Sequence, residues 1–249
     1  MNSYGKLCTQ YYDLDKPQPP PDALAFYLGQ AEQMGGPILE PMCGSGRFLV
    51  PLMQAGYAVT GVDASPEMLA ACRSKALQLG LSPDLYQQYL HEMDLPGSYR
   101  LALIPSGSFG LITDPGEARE SLNRIFLHTN PGGRLVLEAD QMVAIPEINP
   151  DPGESQITRP DGAKIRMVST GQFDLDEQVY HGINRYQLWV QDRMLEQEQE
   201  TFDLRYYRPS QLSDLLEEAG FIVKMIQAAF DHQRPVNDAE SFVVIADRP

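Results

Sequence analysis

Ile38-Leu39-Glu40-Pro41-Met42-Cys43-Gly44-Ser45-Gly46-Arg47, followed at a distance by Gly61-Val62-Asp63, is the stretch on which the reading of this chain turns. An apolar run leads into a glycine turn, then into a helical segment over Phe48 to Ala55, then into a second apolar run over Tyr57 to Val62. That order predicts a strand, turn, helix, strand unit with its two strands parallel. Gly56 suits the left-handed cap of the helix.

In an open α/β sheet the ligand sits beyond the carboxyl ends of the strands, and the first strand-to-helix turn forms its floor. Gly44 and Gly46 let the backbone approach a ligand closely and present N–H groups that favour a carboxylate. Asp63 ends the second strand, where its two oxygens suit both hydroxyls of a ribose. An adenosine-containing cofactor is therefore expected. A dinucleotide fingerprint needs a third glycine where this chain has Leu49. Glu40, just before the loop, suits an ammonium group and would repel a pyrophosphate. The balance favours S-adenosylmethionine over a nicotinamide dinucleotide.

Working outward, Ser65-Pro66-Glu67 supplies an N-cap, a first-turn proline and an early acid, which predicts a helix over Pro66 to Leu79. Leu101 to Ile104 reads as a buried parallel strand that ends at Pro105, with a functional loop at Ser106-Gly107-Ser108-Phe109. A helix over Ala118 to His128, a turn at Asn130-Pro131-Gly132-Gly133 and a strand over Arg134 to Glu138 continue the alternation. Upstream, Leu24, Phe26, Tyr27, Leu28 and Ala31 give one apolar helical face, which Gly35-Gly36-Pro37 ends. Pro17 to Pro21 reads as a rigid linker behind a first segment that holds Tyr11 and Tyr12.

After Asp140 the texture changes. Pro146, Pro150, Pro152 and Pro160 mark loop, and Asp161-Gly162 signals a hairpin turn. Three β-leaning stretches follow, around Ala163 to Thr170, Gln178 to Val190 and Leu195 to Tyr206. A helix over Pro209 to Ala219 and strands at Phe221 to Ala229 and Ser241 to Ala246 complete the pattern. We read an α/β fold as a single domain over residues 1–249, with an antiparallel β insertion within 141–206 that serves as lid, substrate wall or homodimer contact.

The 249 residues are 43% hydrophobic, enough for a full core. Lys and Arg number 19 against 34 Asp and Glu, for a net charge of -15, which repels a phosphate backbone and argues against nucleic acid as substrate. Cys8, Cys43 and Cys72 are odd in number and lack the paired spacings of zinc ligands or a disulfide framework, so a reducing cytoplasm fits them. Met1 to Thr9 has no signal-peptide core, and no apolar run approaches a membrane span.

On these motifs the chain resembles the class I, Rossmann-like, S-adenosylmethionine-dependent methyltransferases of small molecules. Ile38 to Arg47 is similar to the family's first motif, Gly61-Val62-Asp63-Ala64-Ser65-Pro66-Glu67-Met68 to the stretch after it, and Asn130 to Leu135 to the turn before the fifth strand. Leu204-Arg205-Tyr206-Tyr207-Arg208-Pro209 is similar to the approach to the last helix. The resemblance implies a three-layer sandwich around a mostly parallel seven-stranded sheet with an antiparallel last strand. It also implies that Glu40, Gly44 and Gly46 surround the methionine part of S-adenosylmethionine, that Asp63 takes the ribose, and that Ala64 and Met68 flank adenine. Tyr11 or Tyr12 would cover the cofactor, with Pro105 at its edge. Met42 stands where the family has its first glycine, and Tyr89 where an acid is expected, which leaves backbone contacts from Tyr89 and Leu90 for adenine.

The acceptor pocket is expected at Ser106 to Phe109 and at Arg205, Tyr206 and Tyr207, with Arg205 pairing either a carboxylated substrate or a surface acid. No general base is assigned, because His91, His128, His181 and His232 have neither metal-ligand spacing nor a motif. Glu196 to Glu200 reads as a solvated hairpin face. Alternation puts Trp189 on one strand face with His181, Ile183 and Arg185. The alternatives kept open are a nicotinamide-dependent oxidoreductase and a cofactor-binding regulator without catalysis.

Overall fold

The computed structural model describes residues 4–141, 143, 151–231 and 233–249; Pro146, Pro150 and His232 lie outside them. Apolar runs become a seven-stranded sheet: β1 (Ile38–Pro41), β2 (Val59–Asp63), β3 (Asp84–Gln87), β4 (Tyr99–Ile104), β5 (Thr129–Asp140), β10 (Ile222–Ala228) and β11 (Ser241–Asp247). Across the sheet the order is β3-β2-β1-β4-β5-β11-β10. β11 runs antiparallel to both its neighbours, while the pairs from β3 to β5 are parallel. The expected sheet is therefore the observed one. Chain order reverses between β1 and β4, and a crevice at their carboxyl ends follows from that reversal.

Helices cover both faces. α2 (Pro21–Met34), α3 (Leu49–Gln54) and α4 (Pro66–Gln78) pack Tyr27, Leu49, Leu52 and Cys72 on one side. α5 (Pro115–His128) and α6 (Pro209–Glu218) pack Leu122, Ile125, Leu212 and Leu216 on the other. Each fully buried leucine contributes about 2 kcal/mol. The Ser65 hydroxyl accepts from Met68 N–H at 3.1 Å, and Asp114 accepts from Glu117 N–H at 2.8 Å, so both starts are capped by side chains.

Three differences from the sequence reading are physical. First, residues before the proline linker form a helix, α1 (Lys6–Asp15). Its stability comes from burial of Leu7, Cys8 and Tyr11 against a second sheet, a contact that local pattern does not contain. Second, Asn130 to Gly133 lies within β5 rather than before it. Gly132 N–H donates to Arg248 C=O and Arg248 N–H to Gly133 C=O, so pairing with the chain beyond β11 extends the strand through a glycine bend. Third, the second sheet gains a strand: β6 (Gly153–Thr158), β7 (Lys164–Asp174), β8 (Val179–Val190) and β9 (Arg193–Arg205) form an antiparallel meander in that order. β6 has a single apolar side chain, Ile157, among polar residues and glycine, so it carries little apolar signal.

Candidate active site

A cavity of about 570 Å³ opens at the carboxyl ends of β1, β2 and β4. Its first wall is the β1–α3 turn. Glu40 is 2% exposed, and its Oε2 has no hydrogen-bond partner among the described residues. Burial first, and then the nearby Asp63 charge, push the Glu40 carboxyl well above the ordinary carboxylate value. Met42 follows at φ +58°, the left-handed conformation that glycine adopts without strain, and Gly44 at φ +53°. Met42 thus holds a glycine-like conformation at a steric cost of about 1–2 kcal/mol.

Asp63 closes the loop from below. Its Oδ2 accepts from Gly44 N–H at 2.8 Å and its Oδ1 from Ser65 N–H at 2.9 Å. Desolvation raises its pKa, and those backbone donors oppose the rise. Each oxygen keeps a lone pair for a ligand hydroxyl. The expectation that Gly44 and Gly46 offer N–H groups to a carboxylate is corrected here: Gly44 N–H is spent on Asp63, and Gly46 N–H on Cys43 C=O at 3.0 Å. Gly46 does not line the cavity. A Cβ there would lie 2.5 Å from Cys72 Sγ, so this glycine lets α4 close on the loop.

Ala64, Met68, Tyr89, Leu90, Pro105 and Ser106 all line the cavity, as does Tyr12. Tyr89 stacks on His91, with centroids 5.7 Å apart. Ser106 N–H donates to Glu138 Oε2 at 2.7 Å, and the Tyr27 hydroxyl donates to the same oxygen at 3.0 Å, which ties the β4 loop to α2 through β5.

The second wall differs from the expected one. Tyr11 points away from the cavity; its hydroxyl bonds Ser155 at 2.7 Å and its ring packs on Tyr186. Phe109 is fully buried in the core, where it meets Tyr207. Arg205 is pinned by Thr113 C=O at 2.7 Å and Glu177 C=O at 2.7 Å, so it bridges loops rather than facing a substrate. Tyr206 packs on Phe173, and burial lifts both its hydroxyl and that of Tyr207 to about 12. In their place the edge strand β9 supplies Glu200, Thr201, Phe202 and Asp203, while Tyr4 comes from the segment just before α1 and Tyr12 from α1 itself.

Glu196 to Glu200 is accordingly no mere solvated face. Glu198 accepts from the N–H groups of Leu7 and Cys8 at 3.0 and 3.1 Å, and Glu200 from Tyr4 N–H at 2.8 Å, so acids of β9 cap the start of α1. At the other end of that helix Asp13 accepts from Ser45 of the glycine turn and from Lys75 at 2.9 Å.

Sequence reasoning also missed Arg47, the one Lys or Arg among the described lining residues, set against seven Asp or Glu. Its place in the quoted loop was the available signal. Among the histidines, His128 is structural: its Nε2 accepts from Leu95 N–H at 3.0 Å and its Nδ1 lies 2.7 Å from Arg124 C=O. His91 lies 3.7 Å from Glu117, and His181 Nδ1 lies 3.2 Å from Asp203. No metal-holding cluster occurs among the described residues.

Comparison with known proteins agrees with this fold. Residues 38–133 match the family described as "Methyltransferase domain". A Geobacillus sp. (strain WCH70) protein that carries a methyltransferase name is 26% identical over 211 residues, covering 85% of this chain and 84% of its own. The CcbJ methyltransferase of Streptomyces caelestis shares the fold with a TM-score of 0.79 at 21% identity, over 100% of this chain and 99% of that one. The sugar N-methyltransferase KedS8 of Streptoalloteichus sp. does so with 0.78 at 16%, over 100% and 95%. These likenesses together support an S-adenosylmethionine-dependent methyltransferase. No helix of the described residues is long and apolar enough to cross a membrane.

Proposed function

We propose that this chain transfers the methyl group of S-adenosylmethionine to a nitrogen, or failing that an oxygen, on a small molecule. The observation that carries the reading is Glu40, whose buried Oε2 has no partner in a cavity floored by a glycine turn and bordered by Asp63. A carboxylate buried without a partner costs several kcal/mol, and an ammonium group relieves that cost. Glu40 would hold the amino group of the methionine part, Arg47 its carboxylate, and Asp63 the ribose hydroxyls. Ala64, Met68, Tyr89 and Leu90 would border adenine. The bound cofactor supplies a methyl group already activated on a sulfonium.

The chain's own work is then alignment, exclusion of water and proton handling. Tyr4, just before α1, and Tyr12 within it close the cavity, and an aromatic ring beside a cation gains electrostatic attraction. Seven carboxylates against one arginine in the lining favour an acceptor that approaches as an amine and disfavour an anionic one. Similarity to a sugar N-methyltransferase points the same way. We further infer one methyltransferase unit with the second sheet as its substrate wall, working in a reducing cytoplasm where Cys8, Cys43 and Cys72 stay free thiols.

Thermal unfolding with S-adenosylhomocysteine and with NAD tests the cofactor. Only the former should raise the midpoint, because a ligand stabilises the native state by mass action. Transfer of labelled methyl to amines but not to carboxylates tests the acceptor class, and stabilisation by NAD alone would overturn the reading.

A further inference from the structure

We infer that the outer face of the second sheet is the subsite for the hydroxylated part of the methyl acceptor, with the His181–Asp203 pair at its junction with the cofactor cavity. The inference rests on the methyl-transfer reading above. Thr170, Ile183 and Thr201 lie directly opposite one another across β7, β8 and β9, and so do Gln172, His181 and Asp203 two residues along. Residues two apart on a strand share a face, so all six side chains project to the same side, away from α1. They line a groove of about 410 Å³.

Two of them, Thr201 and Asp203, also line the cofactor cavity. Groove and cavity therefore meet along the edge strand β9, and a molecule lying in the groove reaches the cavity there. Hydroxyl, amide, imidazole and carboxylate groups offer both donors and acceptors at cross-strand spacing, which matches several hydroxyls of one small ring. Ile183 adds an apolar spot for the C–H face of that ring. Among the described residues no Lys or Arg lines the groove, which suits a neutral ligand better than a phosphate.

The Asp203 carboxylate fixes the His181 ring through Nδ1 and leaves Nε2 for a ligand hydroxyl or amine. The two side chains are 47% and 38% exposed, and a pair that open contributes little to the fold. The ligand class is a sugar-like polyol that carries the nucleophile.

Saturation-transfer NMR with D-glucosamine, on protein loaded with S-adenosylhomocysteine, tests this on wild type, Gln172→Ala and His181→Ala. Both substitutions remove exposed side chains. Wild type should show transfer to the sugar protons, and each variant should bind about tenfold more weakly for the lost hydrogen bonds, with the heat of S-adenosylhomocysteine binding unchanged. Wild type that binds S-adenosylhomocysteine but not glucosamine, or variants that bind glucosamine as wild type does, would overturn the subsite. Failure of wild type to bind S-adenosylhomocysteine at all would overturn the methyl-transfer reading beneath it.

Discussion

The two walls of the cavity are assembled by opposite rules. Glu40, Met42, Gly44, Asp63, Ala64 and Met68 come from one strand-turn-helix-strand unit and the helix after it, so a short piece of sequence carries that wall whole. The facing wall joins distant parts of the chain: Tyr4 is held by Glu200, 196 residues away. The proposed cofactor contacts thus rest on local backbone geometry, whereas the proposed closure and acceptor contact rest on tertiary packing. Substitutions in the first wall should change what binds, and substitutions in the second how well the site stays shut.

Asp63→Ala is the most severe break of the first wall. It removes the proposed ribose partner and leaves the N–H groups of Gly44 and Ser65 without their acceptor, at about 1–3 kcal/mol each where buried. Calorimetry should find affinity for S-adenosylhomocysteine about 100-fold weaker, with the midpoint of unfolding also lowered. Asp63→Asn keeps one acceptor oxygen and should lose roughly tenfold. Unchanged affinity in either variant would detach Asp63 from the ribose.

The next effect separates the two glycines of the turn. Ala at Gly46 must adopt φ +81° with its Cβ against Cys72 and Val50, a strain plus overpacking cost of about 2–4 kcal/mol. Ala at Gly44 meets only Met68 Sδ at 3.9 Å, so its cost is the backbone term of about 1–2 kcal/mol. Differential scanning calorimetry should therefore rank Gly46→Ala well below Gly44→Ala in stability. Equal midpoints would mean that α4 does not depend on close packing at Gly46.

That pair also explains what the sequence could tell. Periodicity and turn chemistry located β1, β2, α4, α5 and α6, because each buries its own apolar set against the sheet. The role of Gly46 was legible only as flexibility, since the Cys72 thiol that forbids a Cβ lies on another helix. α1, β6 and the capping acids Glu198 and Glu200 were hidden for the same reason. A carboxylate that caps a helix looks like any surface acid until the helix is in place. Tyr207 and Phe109 looked like pocket residues by their loops, yet they pack on each other in the core.

The second wall breaks more gently. Glu198→Ala removes the acceptor for two N–H groups at the start of α1, a capping loss of about 1–2 kcal/mol. The midpoint should fall by roughly 3–6 °C for a chain this long. Affinity for S-adenosylhomocysteine should fall only about threefold to tenfold, mainly through faster dissociation as Tyr4 and Tyr12 loosen. An unchanged dissociation rate would show that α1 is a spectator of binding.

The smallest effect is a proton. Burial raises the Glu40 carboxyl well above its ordinary value, so between the unfolded and the raised pKa the native apo protein binds more protons than the unfolded chain. Its contribution to stability is therefore lost as pH rises through that window and becomes flat above it. An ammonium group placed on Glu40 favours the charged carboxylate and drives the proton off. Binding of S-adenosylhomocysteine inside the window should release up to one proton, and affinity should rise with pH by less than tenfold per unit. Titration calorimetry in two buffers of different ionisation enthalpy measures that release. Glu40→Gln, which has no proton to lose, should abolish it while keeping the cavity's shape. Release that persists in Glu40→Gln would assign the proton to another carboxyl, with Asp63 next in line because burial raises it too.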